Sequence, residues 1–159
     1  MKFHNITKCD MLNGDGLRVV LWVSGCEIHC KNCQNKITWD PDYGVEFTEE
    51  SKKEIFDELD KDYISGITFS GGHPLHPNNI TTIHNLIKEI KEKYKDKTIW
   101  LYTGYTYEYL KEKSKTDNIL DYILKNVDVL VDGPYIDELR DTKLEWVGSS
   151  NQRVIRFNK

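Results

Sequence analysis

An α/β fold, built as a partial (β/α) barrel or a short parallel sheet, is what this 159-residue sequence predicts. Three observations carry that expectation. Four short runs rich in β-branched and aromatic residues alternate with segments of helical periodicity, the pattern of parallel strands joined by right-handed crossovers. Each of the four runs ends in a polar or glycine turn. The chain is also far shorter than the ~250 residues of a closed eight-stranded barrel, so the sheet is expected to stay incomplete or open.

The strands are expected at Leu17 to Val23, Gly66 to Ser70, Thr98 to Tyr102 and Val127 to Val131. Between the first two, a helix is predicted over Thr48 to Lys61, with Thr48 as its cap and Ile55, Phe56 and Leu59 as a narrow apolar stripe. Its Glu49, Glu50, Glu54 and Glu58 read as a solvated face. Between the second and third strands, Ile80, Ile83, Ile87, Ile90 and Tyr94 recur at helical spacing, with Pro77 near the start. Less regular helices are expected over Thr106 to Lys113 and Asn118 to Lys125. Tyr102, Tyr105, Tyr107 and Tyr109 read as amphipathic packing residues.

Parallel sheets gather their sites at the carboxyl ends of the strands. The turns found there are Ser24-Gly25, Ser70-Gly71-Gly72, Thr103-Gly104 and Asp132-Gly133, and they are expected to meet at one rim. Asp132 stands out because it follows a nearly all-apolar strand.

A hydrophobic content of 38% is enough for one buried core, so a single domain over residues 1–159 is expected. The net charge of -4, with its lysines scattered, excludes the basic footprint of a nucleic-acid partner. Met1-Lys2-Phe3-His4-Asn5 lacks the apolar run of a signal peptide, and no stretch approaches the ~20 apolar residues of a membrane span. A cytoplasmic protein with no membrane partner is expected.

In a reducing compartment, four cysteines point to metal or redox chemistry rather than to disulfides. Cys26, Cys30 and Cys33 lie on one short loop that leaves the first strand, spaced to wrap one face of a metal site, while Cys9 stands alone and reads as a small packing residue. Structural zinc normally takes four protein ligands, and an ordinary four-iron cluster takes four cysteines. The loop offers three, which leaves an open position unless Cys9 closes it from outside. His29, beside Cys30, reads as a solvent-facing or shielding side chain.

The Cys26-x3-Cys30-x2-Cys33 spacing resembles the signature of radical S-adenosylmethionine enzymes. More of the chain narrows the likeness: Asn13-Gly14-Asp15-Gly16-Leu17-Arg18, Asn35-Lys36-Ile37-Thr38-Trp39, and Ser70-Gly71-Gly72-His73-Pro74-Leu75-His76-Pro77. Thr98 through Tyr105, Val131-Asp132-Gly133 and Trp146 through Arg153 complete the ordered set. Together they resemble the family of proteins that activate anaerobic ribonucleoside-triphosphate reductases.

The resemblance implies a fold of radical S-adenosylmethionine type and a 4Fe-4S cluster on Cys26, Cys30 and Cys33, with one iron open to S-adenosyl-L-methionine. It implies reductive cleavage of that cofactor to a 5'-deoxyadenosyl radical. The radical would take a hydrogen from a glycine of the large reductase subunit, with a reduced flavodoxin-like protein as electron donor. Cofactor contacts are expected from Asn32, Cys33, Gln34, Ser70, Gly71, Gly72, His73, Thr103 and Asp132, with no catalytic acid or base. The sequence departs from the family at three places. His73 stands where an acidic residue usually holds the cofactor's amino group, and a neutral imidazole could accept that hydrogen bond instead. Asn32 and Gln34 replace a glycine and an aromatic residue, and Val147 replaces a common arginine. Asn151, Gln152 and Arg153 read as a partner or cofactor contact or as a polar β-hairpin end. Activation of another glycyl-radical enzyme, such as pyruvate formate-lyase, and a non-catalytic iron-sulfur or zinc protein are the competing readings.

Overall fold

The structure, a computed structural model, describes residues 1–157. Its longest strand is one that the sequence pattern does not announce. β1 (Lys2–Asp10) pairs antiparallel with β2 (Leu17–Val23), yet only Phe3 of β1 is buried, so no apolar alternation marks it. The ladder to β2 holds it, helped by a 2.9 Å bond from Trp22 Nε1 to Thr7 Oγ1. β3 (Val45–Glu46) adds a two-residue edge to β1.

The expected helices follow in order. α1 (Glu49–Leu59) starts at Thr48, whose hydroxyl accepts from the Ser51 amide while the Ser51 hydroxyl accepts from the Thr48 amide. β4 (Ile64–Gly71), α2 (Ile80–Lys93), β5 (Thr98–Tyr102), α3 (Tyr107–Lys113) and α4 (Asn118–Asn126) continue the alternation. β6 (Val129–Asp132) begins later than expected because the Val127 amide bonds back to Ile123 O and closes α4. β7 (Arg153–Arg156) returns from an irregular segment.

The sheet order is β3-β1-β2-β4-β5-β6-β7. Only the four central strands are parallel; β1, β3 and β7 join antiparallel, so the sheet is mixed rather than wholly parallel. The six-residue connection from β1 to β2 accounts for one of these edges, since a link that short can join only antiparallel neighbours. No helix among the described residues is long and apolar enough to cross a membrane.

Strand alternation sorts the side chains into two layers. Val19, Leu21, Ile67, Phe69, Ile99, Leu101 and Leu130 pack under the helices against Ile55, Leu59, Ile83, Ile87, Ile90 and Ile123. Glu58 departs from the solvated face expected of it. It lies on the same helix face as Ile55 and Leu59, is buried, and is held by Lys61 Nζ at 2.6 Å.

The alternate residues Arg18, Trp22, Thr68, Ser70, Trp100 and Tyr102 belong to the opposite face. Trp100, Val129 and Val131 form a second apolar cluster there with Trp146 and Val147. Arg18 is wholly buried: Nε donates to Thr68 Oγ1, Nη1 to Asp15 O and Thr98 Oγ1, and Nη2 to Ile67 O and Thr98 O. Burial pushes its pKa down to about 10 against the pull of Asp15 and more distant acids. The guanidinium thus ties β2, β4, β5 and the loop before β2 with neutral acceptors. Arg18→Met is expected to destabilise the protein by ~3 kcal/mol, because several buried acceptors lose their donor at once. Denaturant unfolding of the apoprotein measures this; an unchanged midpoint would mean that water replaces the guanidinium.

Candidate metal centre

The register of the parallel strands brings their carboxyl ends level, with Val23 beside Gly71 and Tyr102 beside Val131. Backbone bonds then stitch the turns together. Gly72 N donates to Val23 O, His73 N to Gly25 O, Thr103 N to Val131 O and Gly133 N to Tyr105 O. The four turns expected to share a rim do so.

The cysteine loop leaves this rim from Gly25 and takes left-handed backbone conformations at His29 (φ 50°) and Asn32 (φ 56°). These bends let backbone amides face the sulfurs. Cys26 Sγ is approached by the amides of Ile28 and His29, Cys30 Sγ by that of Tyr135, and Cys33 Sγ by that of Asn35 at 3.4 Å. Burial pushes the Cys26 and Cys30 thiols up, while the amides pull the other way. A donor set of three half-buried sulfurs, each met by an N–H dipole, fits an anionic metal-sulfur group.

All three cysteines line one cavity of about 760 Å3, within the size range of small-molecule sites. Among the described residues, no three His, Cys, Asp or Glu side chains converge as the shell of a single metal ion. Cys9 is exposed, not packed, and sits near the Arg18 end of the β1–β2 pair. Strand rise puts it about 15 Å from the end where the cysteine loop begins. His29 stacks on Trp39 with ring centroids 4.4 Å apart, on the flank of the loop.

Asn32, Gln34, Ser70, Gly71, Gly72, His73 and Thr103 also line the cavity. Asp132 does not. It is buried, but its carboxylate is taken by Arg153 Nε at 3.0 Å, by Arg153 Nη2 and by the Tyr107 amide at 2.7 Å, so it braces α3 and β7 instead. Residues that the sequence reading did not assign to the site also form the wall, among them Trp22, Tyr102, Tyr135 and Trp146. The first two could have been found by strand parity, since they precede the rim on the helix-free face.

The polar tail is turned inward. Asn151 Nδ2 donates to Pro134 O at 2.7 Å and Gln152 Nε2 to Gly133 O at 3.0 Å; Gln152 Oε1 accepts from the amides of Gly148 and Ser149. Ser149 is buried and accepts from the Ile136 amide. This turn holds segment 133–139 against the cysteine loop, where Asn32 Nδ2 donates to Asp137 Oδ2 and Lys31 Nζ to Glu138 Oε1, each at 2.8 Å. The tail side chains are therefore framework, with Gln152 also reaching the cavity wall.

His73 is 1% exposed and both its ring nitrogens are engaged: Nδ1 lies 2.9 Å from Glu27 Oε1, and Nε2 lies 2.9 Å from Thr103 Oγ1. It presents no free acceptor of its own to the cavity. Glu27 Oε1 also accepts from the Tyr105 hydroxyl at 2.8 Å. Against the upward pull of burial, hydrogen bonds from the His73 ring and the Tyr105 hydroxyl bring the Glu27 carboxyl down to about 2. Burial and this carboxylate push the Tyr105 phenol up. The sequence reading did not single out Glu27. Its one signal in the sequence is an acid inside the cysteine loop, between Cys26 and Cys30.

A family described as "4Fe-4S single cluster domain" matches residues 12–155. The anaerobic ribonucleoside-triphosphate reductase-activating protein of Enterobacteria phage T4 is 43% identical over 154 residues, which is 97% of this chain and 93% of that protein. The protein of the same name from Vibrio cholerae serotype O1 is 40% identical over 159 residues, 99% of each chain. That from Escherichia coli strain K12 is 39% identical over 156 residues, 97% of each. Likeness of this extent, running the length of chain and relatives alike, makes this chain a member of the anaerobic ribonucleoside-triphosphate reductase-activating protein family.

Proposed function

We propose that the chain activates an anaerobic ribonucleoside-triphosphate reductase by radical chemistry at a 4Fe-4S cluster held by Cys26, Cys30 and Cys33. The observation that carries this reading is the shared cavity: three thiols face it while the fourth cysteine lies at the far end of the hairpin, which leaves a ligand position open. When bound and reduced from outside, the cluster would supply the electron for reductive cleavage of S-adenosyl-L-methionine to methionine and a 5'-deoxyadenosyl group, the chemistry by which a glycine of the large reductase subunit would lose a hydrogen atom.

This chain's part is to bind, orient and shield. Backbone amides facing the sulfurs stabilise their charge. Asn32, Gln34, Ser70, Gly71, Gly72 and Thr103 offer polar groups and close backbone around the cofactor. Trp22, Tyr102 and Trp146 give it an apolar floor that excludes water. We read the sheet as a partial barrel of radical S-adenosylmethionine type, with its helix-free face as the inner wall. A reduced flavodoxin-like protein is the proposed electron donor.

The test is anaerobic reconstitution with iron and sulfide, then incubation with S-adenosyl-L-methionine, reductant and the large reductase subunit. The expected result is 5'-deoxyadenosine together with a glycyl radical signal in electron paramagnetic resonance. Cofactor cleavage without that signal would overturn the partner. A colourless protein holding zinc would overturn the chemistry.

A further inference from the structure

S-Adenosylmethionine is a sulfonium and carries an amino group with N–H donors, so a site for it gains from negative charge and hydrogen-bond acceptors close to the amino-acid end. Few carboxylates near the cavity are available to supply that charge. Asp132 is neutralised by Arg153. Asp137 and Asp141 line the cavity, but the Asp137 carboxylate is bonded to Asn32 and the Tyr135 hydroxyl, and that of Asp141 to the Lys143 amide beside it in the chain, so neither is joined to the rim. Glu27 differs in what it is bonded to: besides the Tyr105 hydroxyl its partner is the buried His73 ring, whose other nitrogen lies 2.9 Å from Thr103 Oγ1 at the rim, and no lysine or arginine among the described residues pairs with it.

We propose that Glu27 is a positioning residue for the cofactor's amino group. Its carboxylate, set one imidazole behind the cavity wall, supplies through His73 and Thr103 the negative charge that an acid at position 73 would supply directly. This inference rests on the cofactor reading given under the proposed function.

Proton bookkeeping fixes the direction of the chain. An ionised carboxylate can only accept, so the His73 proton facing Glu27 is on Nδ1. In the neutral ring Nε2 is then an acceptor and takes the hydroxyl proton of Thr103. Thr103 Oγ1 also accepts from the Tyr105 amide at 3.1 Å, which leaves it one lone pair. Thr103 lines the cavity, and that lone pair is what an amino N–H of the cofactor would meet. Each bond in the chain polarises the next, and the buried His73 ring cannot turn away without breaking both. Glu27 itself is not part of the cavity wall, so its charge acts through the relay.

The test is equilibrium dialysis of S-adenosylmethionine against the reconstituted, unreduced protein, where no turnover occurs. Glu27→Gln removes the charge, and its amide can donate to Nδ1. The ring would then donate from Nε2, and the Thr103 hydroxyl proton would turn from the ring toward the ligand. Cofactor affinity is expected to fall at least about tenfold, the equivalent of one strong hydrogen bond to charge. Adding His73→Asp to Glu27→Gln returns the charge to the wall and is expected to recover most of that loss; a purely structural role for Glu27 would give no such rescue. Thr103→Val, which leaves the cysteine loop intact, is expected to weaken binding similarly, and it keeps the test usable if Glu27→Gln loses iron. Unchanged affinity in Glu27→Gln or Thr103→Val, or a double variant no better than Glu27→Gln, overturns the relay. If the unsubstituted protein binds no S-adenosylmethionine, the cofactor reading falls and the relay falls with it.

Discussion

Alanine at Cys26, Cys30 or Cys33 is expected to abolish retention of a reconstituted cluster, and with it all cleavage of S-adenosylmethionine, whereas Cys9→Ala is expected to match the parent in both. The difference follows from the β1–β2 hairpin. Residues of β1 run antiparallel to β2, so Cys9 lies near Arg18 while the cysteine loop departs after Val23. Bringing Cys9 to the loop would require the strand pair to come apart. Two thiolates are a poor anchor for a cluster that already has an open position, so the loss of any one of the three leaves too few ligands. Iron and sulfide content per chain and the yield of 5'-deoxyadenosine read the outcome directly. Iron loss in Cys9→Ala would instead indicate a site closed by four thiolates and would end the proposal of an open one.

The same hairpin shows where sequence legibility stopped. β2, β5 and the capped start of α1 were readable because β-branched runs and Thr48 mark them locally. β1 and β7 were not, since β7 is an edge strand, β1 is flanked on its outer side only by the two-residue β3, and both carry mostly half-exposed or exposed side chains; a ladder to a neighbour leaves no period in the chain itself. The shared rim was legible from four strand-end turns, because parallel register levels them. Asp132 and His73 could not be resolved in the same way. Whether a buried polar side chain faces a cavity or spends its atoms on Arg153, or on Glu27 and Thr103, depends on residues 21 to 46 positions away. Sequence spacing carries no such information.

The second large effect is expected from the smallest change at the rim, Gly72→Ala. A turn glycine is usually explained by backbone freedom, but here the constraint is space. A Cβ on Gly72 would stand 2.6 Å from Gly25 O and 2.9 Å from Thr38 O, both of them backbone atoms. Neither can yield alone. Gly25 O accepts from His73 N, Gly25 N donates to Thr38 O, and Cys26 N donates to Trp39 O, so the three segments are bonded to one another across the spot the methyl would fill. Relieving the clash means moving the peptide just before Cys26 by more than about 0.5 Å, the tolerance of a preorganised site. Overpacking of this kind costs ~1–3 kcal/mol in stability. The cysteine loop should bear most of the shift, because the strand on the other side is locked into the sheet core. Gly72→Ala is therefore expected to fold with a lowered melting temperature and to lose iron far more readily than it loses structure. Gly148→Ala is the matched control: its Cβ meets the Tyr135 ring at 3.2 Å, and a side chain can swing aside, so both readouts should stay close to the parent. A Gly72→Ala protein that loads and keeps iron like the parent would mean that the loop adjusts without disturbing its sulfurs, and the rim would then not be what sets the geometry of the cluster.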